Sequence, residues 1–157
     1  MTGPSDRLAV VIPPERSVLV DTSVVLAYLG GGERTSDLAR QLFDAFAATG
    51  RNPAAMSTVT VAEILVRPFR SGAASVATAE GFLRHFADLR RIDVTYDVAR
   101  EAARIRAETD MPMPDALILA SAVVAGIELV ATNDRSWPTR AAPALPDLPI
   151  VVLAELL

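Results

Sequence analysis

A chain of 157 residues, 51% of them hydrophobic, holds one domain with a full core, and its apolar runs fall short of the roughly 20 residues of a membrane span. Cysteine is absent, which excludes disulfides, thiolate metal sites and Cys nucleophiles, so any metal must be held by oxygen or by the single His, His85. All 15 basic residues are Arg, which excludes Lys-dependent phosphate loops and phosphoaspartate sites, and the net charge of -4 has the wrong sign for gripping nucleic acid by bulk electrostatics.

Residues 1–17 are punctuated by Pro and Arg around a short apolar patch, Leu8 to Ile12, which Pro13-Pro14 closes. They read as a leader to which no fixed order is assigned, and residues 18–157 as the domain. Met1 to Asp6 lack the basic segment, apolar core and small-residue cleavage site of a secretory signal, so a soluble, cytoplasmic protein is expected.

Val18 to Val20 predict a strand buried on both faces, closed by Asp21, with the Thr22 and Ser23 hydroxyls placed to cap the next helix or to orient the acid. That helix covers Val24 to Leu29 and stops at Gly30-Gly31-Gly32. Ser36 caps a helix over Asp37 to Thr49 whose Leu38, Leu42, Phe43 and Phe46 share one face, with Gly50 as its stop. A second strand, Ala54 to Ser57, leads to a helix capped by Thr58 or Thr60, carrying Val61 to Val66 with Glu63 among them, and stopped by Pro68. A further helix spans Val76 to Leu89 and carries His85 beside its apolar face, where a place on the surface or at the edge of the core is the expectation. Arg91 to Val94 predict a third strand. Asp97 opens a helix to Thr109 in which Glu101, Arg104 and Glu108 are spaced as a solvated, ion-paired face. After Pro112 and Pro114, Asp115 opens an apolar helix to Val124, closed by Gly126. Glu128 to Thr132 predict the fourth strand, followed by Asn133-Asp134, and a Pro-rich loop over 138–149 leads to a last strand, Ile150 to Leu153.

Strands alternating with helices predict an α/β fold with a parallel sheet and helices on both faces. In such sheets ligands sit outside the carboxyl ends of the strands. Taken singly, Asp21 and Asp115 read as helix caps. Taken together, Asp21 and Asp134 follow strands, Glu63 and Asp115 lie near helix N-termini that face the same edge, and the four acids converge on one rim. Clustered carboxylates repel unless protonated or bridged by a cation, and an oxygen-only set selects a hard ion such as Mg²⁺ or Mn²⁺.

Four pieces in order carry a family resemblance: Val20-Asp21-Thr22-Ser23, Thr60-Val61-Ala62-Glu63-Ile64-Leu65, Pro114-Asp115-Ala116-Leu117-Ile118-Leu119-Ala120 and Ala131-Thr132-Asn133-Asp134. The chain resembles a PIN domain, and more narrowly the VapC toxins of bacterial type II toxin-antitoxin systems. The resemblance implies a single PIN-like domain with sheet order 3-2-1-4-5. It also implies an Mg²⁺- or Mn²⁺-dependent endoribonuclease with Asp21, Glu63, Asp115 and Asp134 as catalytic metal ligands. Its partners would be an RNA substrate, a VapB-like antitoxin and a second copy in a homodimer, with no membrane. Thr22, Ser23 and Thr132 are candidates to orient the carboxylates, and Arg67, Arg70 and Arg135 to hold phosphates. Trp137 departs from the family, which often has Phe nearby, and residues 1–17 are longer than the usual leader. The alternative is a non-enzymatic PIN-type module whose acidic rim binds a protein partner.

Overall fold

Residues 2–157 are described by a computed structural model; Met1, the first residue of the segment read as a leader, lies outside the described residues. Ahead of the first strand that segment supplies a helix, α1 (Pro4–Val11), with Pro at its start and Leu8 wholly buried. It is anchored by tertiary contacts. Arg51 donates to the Ile12 carbonyl at 3.0 Å, Gln41 to that of Ser5 at 3.0 Å, and the Asn52 amide to those of Pro13 and Arg16 at 2.7 and 2.8 Å.

In chain order there follow β1 (Val18–Val20), α2 (Thr22–Gly30) and α3 (Ser36–Arg40), the last continuing as a π-helical stretch Gln41–Ala47. Next come β2 (Ala54–Ser57), α4 (Thr58–Ser71), α5 (Ala73–His85) and β3 (Leu89–Ile92). The chain then runs through α6 (Tyr96–Glu108), α7 (Met113–Val124), β4 (Leu129–Thr132), α8 (Trp137–Ala141) and β5 (Ile150–Val152). The sheet order is β3-β2-β1-β4-β5 and every neighbouring pair is parallel, as the resemblance implies.

Every residue of β1, β2 and β4 is buried, because the sheet is covered on both faces. Side chains alternate across it. Val18, Val20, Ala54, Met56, Leu129 and Ala131 pack on one side with α1, α2, α3 and Leu83 of α5. Leu19, Ala55 and Val130 pack on the other with α6, α7 and Trp137. Tyr28, Phe43, Phe82 and Phe86 stack within the first layer at centroid separations of 4.6 to 6.0 Å. The Leu38, Leu42, Phe43 and Phe46 face is thereby consumed by the protein's own core.

The element limits differ from the sequence reading in several places: the helix expected over Val76 to Leu89 is α5, Ala73–His85, and Leu89 instead opens β3. Helix α4 is capped by Ser57, whose Oγ accepts from the Val59 N–H at 3.1 Å, and it runs through Pro68 to Ser71. Strand β3 begins two residues earlier than expected, leaving the Arg91 guanidinium to satisfy the Leu83 carbonyl at 2.9 Å near the end of α5. The helix expected over 37–49 loosens to π geometry at Gln41. The loop after Asp134 holds the short α8. Among the described residues no helix is long and apolar enough to cross a membrane.

Candidate active site

Strand order turns back at β1: β2 and β3 lie to one side of it, β4 and β5 to the other. A crevice therefore opens beyond the carboxyl ends of β1 and β4, where neighbouring connections part in opposite directions. Asp21 leaves β1 there and caps α2, accepting from the Ser23 N–H at 3.4 Å. Both readings of this residue hold together, because a helix cap at the end of a central strand is also a rim carboxylate.

Asp21 is 5% exposed, and a buried carboxylate must be compensated. Its Oδ2 accepts from the Ser23 hydroxyl at 2.6 Å and from the Thr132 hydroxyl at 2.9 Å. Ser23 in turn accepts from the Asn133 N–H at 2.9 Å, and Thr132 from the Asp134 N–H at 3.0 Å. The ends of β1 and β4 are thus stitched together through the acid, which places Ser23 and Thr132 where the sequence reading expected orienting hydroxyls.

The other hydroxyl of the first turn of α2 points to α4. Thr22 donates to Glu63 Oε2 in a short contact, and its oxygen also lies 3.0 Å from that of Thr60. One hydroxyl proton cannot serve both partners. Thr22 is the donor in both contacts, so its hydroxyl bridges Thr60 and Glu63 of α4 and serves one of them at a time. Asp134 Oδ1 accepts from both the N–H and the hydroxyl of Ser136, at 2.8 and 2.6 Å, an Asx turn that leads into α8.

Asp115 sits in the first turn of α7, where the helix N-terminus favours its charge. Against that, burial first and then the charges of Asp21, Glu63 and Asp134 raise its pKa to about 6, opposed by the Trp137 indole, which donates toward it. The repulsion expected of four gathered acids is thus felt at Asp115. All four line one pocket together with Thr22, Ser23, Leu26, Val66 and Trp137.

Among the described residues, no three His, Asp or Glu side chains are drawn up to close round a single ion, Glu63 and Asp134 being held by Thr22 and Ser136. The donor set nevertheless fits a hard divalent ion: four carboxylates on one pocket, no softer ligand, and an acid whose pKa is raised by burial and then by its neighbours. His85 ends α5 at the opposite edge of the sheet and is no part of this lining. Arg135 is tied to the Ala154 carbonyl at 2.9 Å, whereas the Arg67 and Arg70 guanidinium groups have no partner among the described residues.

Sequence reasoning missed Thr60, Asn133 and Ser136 as supports of the acids. Two signals were present. Thr60 and Glu63 are three apart, one above the other on a helix, and Asp134-Arg135-Ser136 has the spacing of an Asx turn.

The sequence profile of the PIN domain matches residues 18–142. No curated protein matches the chain. Solved structures similar to it include a toxin-antitoxin complex from Klebsiella pneumoniae, with 24% identity and a TM-score of 0.63 over 87% of this chain and 98% of that one. DNA-bound VapBC from Salmonella typhimurium gives 21% identity and a TM-score of 0.65 over 88% and 98%. A Mycobacterium tuberculosis VapC described as a sarcin-ricin loop cleaving toxin gives 23% identity and a TM-score of 0.58 over 73% and 87%. At these identities the likeness is one of fold.

Proposed function

The chain belongs to the PIN domain family, and from that membership and the chemistry of its rim we propose that it is a metal-dependent endoribonuclease, the VapC-like toxin of a toxin-antitoxin pair. The observation that carries this reading is the lining of one pocket by Asp21, Glu63, Asp115 and Asp134, with the Asp115 pKa raised to about 6 partly by the other three. A purely structural role gives no reason to gather four acids at a cost in repulsion.

Asp21 and Asp115, with Glu63 and Asp134, would hold Mg²⁺ or Mn²⁺. Bound there, such an ion lowers the pKa of water and polarises a phosphate oxygen, so that in-line attack on a phosphodiester needs no side-chain nucleophile. The chain's own residues do the positioning. Ser23 and Thr132 hold Oδ2 of Asp21, and Oδ1 receives no hydrogen bond among the described residues. Thr22, bridging Thr60 and Glu63, holds the Glu63 carboxylate. Trp137, 1% exposed, walls the pocket with an apolar ring and directs its N–H toward Asp115.

The proposed partners follow from the same chemistry. Uncompensated acids attract an Arg- or Lys-bearing segment, and an antitoxin tail fits; three of the similar structures are toxin-antitoxin assemblies, from Klebsiella, Salmonella and Rickettsia. A cytoplasmic location suits that partnership. Incubating labelled RNA with the protein in Mg²⁺ or Mn²⁺, and again with EDTA, tests the activity. Cation-dependent fragments support it. Intact RNA under every condition, from protein that still binds a basic peptide at the rim, would favour the binding-module reading instead.

A further inference from the structure

Helix α4 brings more than Glu63 to the rim. Glu63, Arg67 and Arg70 stand at i, i+4 and i+7, one stripe of the helix, with Val66 and Phe69 on its outer flank. At 1.5 Å per residue, Arg67 lies about 6 Å and Arg70 about 10 Å beyond Glu63 along the axis. Both guanidinium groups are exposed and lack any acid or carbonyl partner among the described residues, as do those of Arg34, Arg90, Arg100 and Arg106, but Arg67 and Arg70 share the helical stripe of Glu63. Phe69 is 68% exposed, while Phe43, Phe46, Phe82 and Phe86 pack in or against the core. Leu26 and Val66 join this flank to the acid pocket.

We propose that this face of α4 is the track of the single-stranded RNA substrate, with Arg67 and Arg70 holding phosphates on one side of the scissile bond and Phe69 stacking on a base. The inference rests on the ribonuclease reading and assigns that site its strand path. Charge selects the occupant. An apolar peptide docked on Val66 and Phe69 would leave two guanidinium groups uncompensated, and a basic tail would be repelled by them, whereas a polynucleotide strand offers phosphates and bases alternately. Single-strand binders use that combination of cations and aromatic platforms. A protein of net charge -4 has particular need of a local positive stripe to bring phosphate to its acids.

The test is fluorescence anisotropy in Mg²⁺ with a labelled, fully 2′-O-methylated oligoribonucleotide, which binds without being cut, alongside steady-state cleavage of the unmodified strand. Phe69→Ala should weaken binding about 5-fold or more, the low end of the loss of one stacked base, and Phe69→Trp should restore it. Arg67→Gln with Arg70→Gln should lower the slope of log affinity against log salt by roughly 1.4, at about 0.7 per phosphate contact. Cleavage should show raised KM with kcat retained, and melting temperatures should match the wild type because all three side chains are exposed. Wild-type cleavage with unchanged affinity and KM in both variants would overturn the track alone. Absence of any wild-type cleavage or binding would overturn the track and the ribonuclease reading together. Unchanged RNA binding in Phe69→Ala, with loss of self-association, would make this face a protein interface and overturn the proposal.

Discussion

Asp115 is where the electrostatics of the rim can be read most directly. Its folded pKa of about 6 lies above the ordinary value of 3.8, so ionising it works against folding. The sign follows from linkage: its favourable contribution is complete below about pH 4 and is lost as pH rises through about 6. In the presence of chelator, Asp115→Asn should therefore be more stable than the wild type at pH 7.5, by about 1 to 2 kcal/mol once solvent screening is allowed for. That advantage should vanish near pH 4, where the wild-type carboxyl is protonated. Thermal melts of both proteins across this range measure it, and a variant less stable at pH 7.5 would make Asp115 a structural cap. The acids themselves were legible in the sequence, since Asp21 and Asp134 follow strands and Glu63 and Asp115 lie in the first two turns of helices. The hydroxyls beneath them were not. Thr60 and Ser136 act through side-chain directions that residue order does not reveal until the helix and the turn are in place.

At the level of elements, strands covered on both faces announce themselves as unbroken apolar runs, and β1, β2, β4 and β5 fall where they were expected. Pro68 was read as a stop for α4, yet the ring removes a single N–H, and burial of Ile64 and packing against α5 carry the helix on to Ser71. Helix α1 was unreadable for the opposite reason. An eight-residue segment is too short to hold a helix by its own tendency, and its form depends on Leu8 and Ile12 entering a core assembled from distant residues. Leu8→Ala should accordingly cost about 2 to 4 kcal/mol, because the site is wholly buried. For a chain of this length that is a fall in Tm of roughly 5 to 15 °C. Val10→Ala on the same helix, at a position 73% exposed, should change stability by no more than about 0.5 kcal/mol. Equal effects in the two melts would show that α1 is not docked.

On the scale of the whole molecule, the parallel sheet with its reversal at β1 gathers side chains from four separate stretches of chain, which is how weak local motifs become one site. The expectation of a homodimer rested on the Leu38, Leu42 and Phe46 face together with the family resemblance, and that face is internal. Self-association remains a proposal, and it now rests on the family resemblance alone. Light scattering at micromolar concentration should give a dimer mass; a monomer mass would remove the proposal without touching the acidic rim. The central claim is that this rim is a cation site retained at the expense of stability. Its most direct test is the shift in melting temperature on titrating Mn²⁺ into the metal-free wild type and into Asp21→Asn. The wild type should rise with the logarithm of free Mn²⁺ once its dissociation constant is passed, and the gain should shrink in the variant together with RNA cleavage. A wild-type melting temperature indifferent to Mn²⁺, or an equal rise in Asp21→Asn, would contradict it.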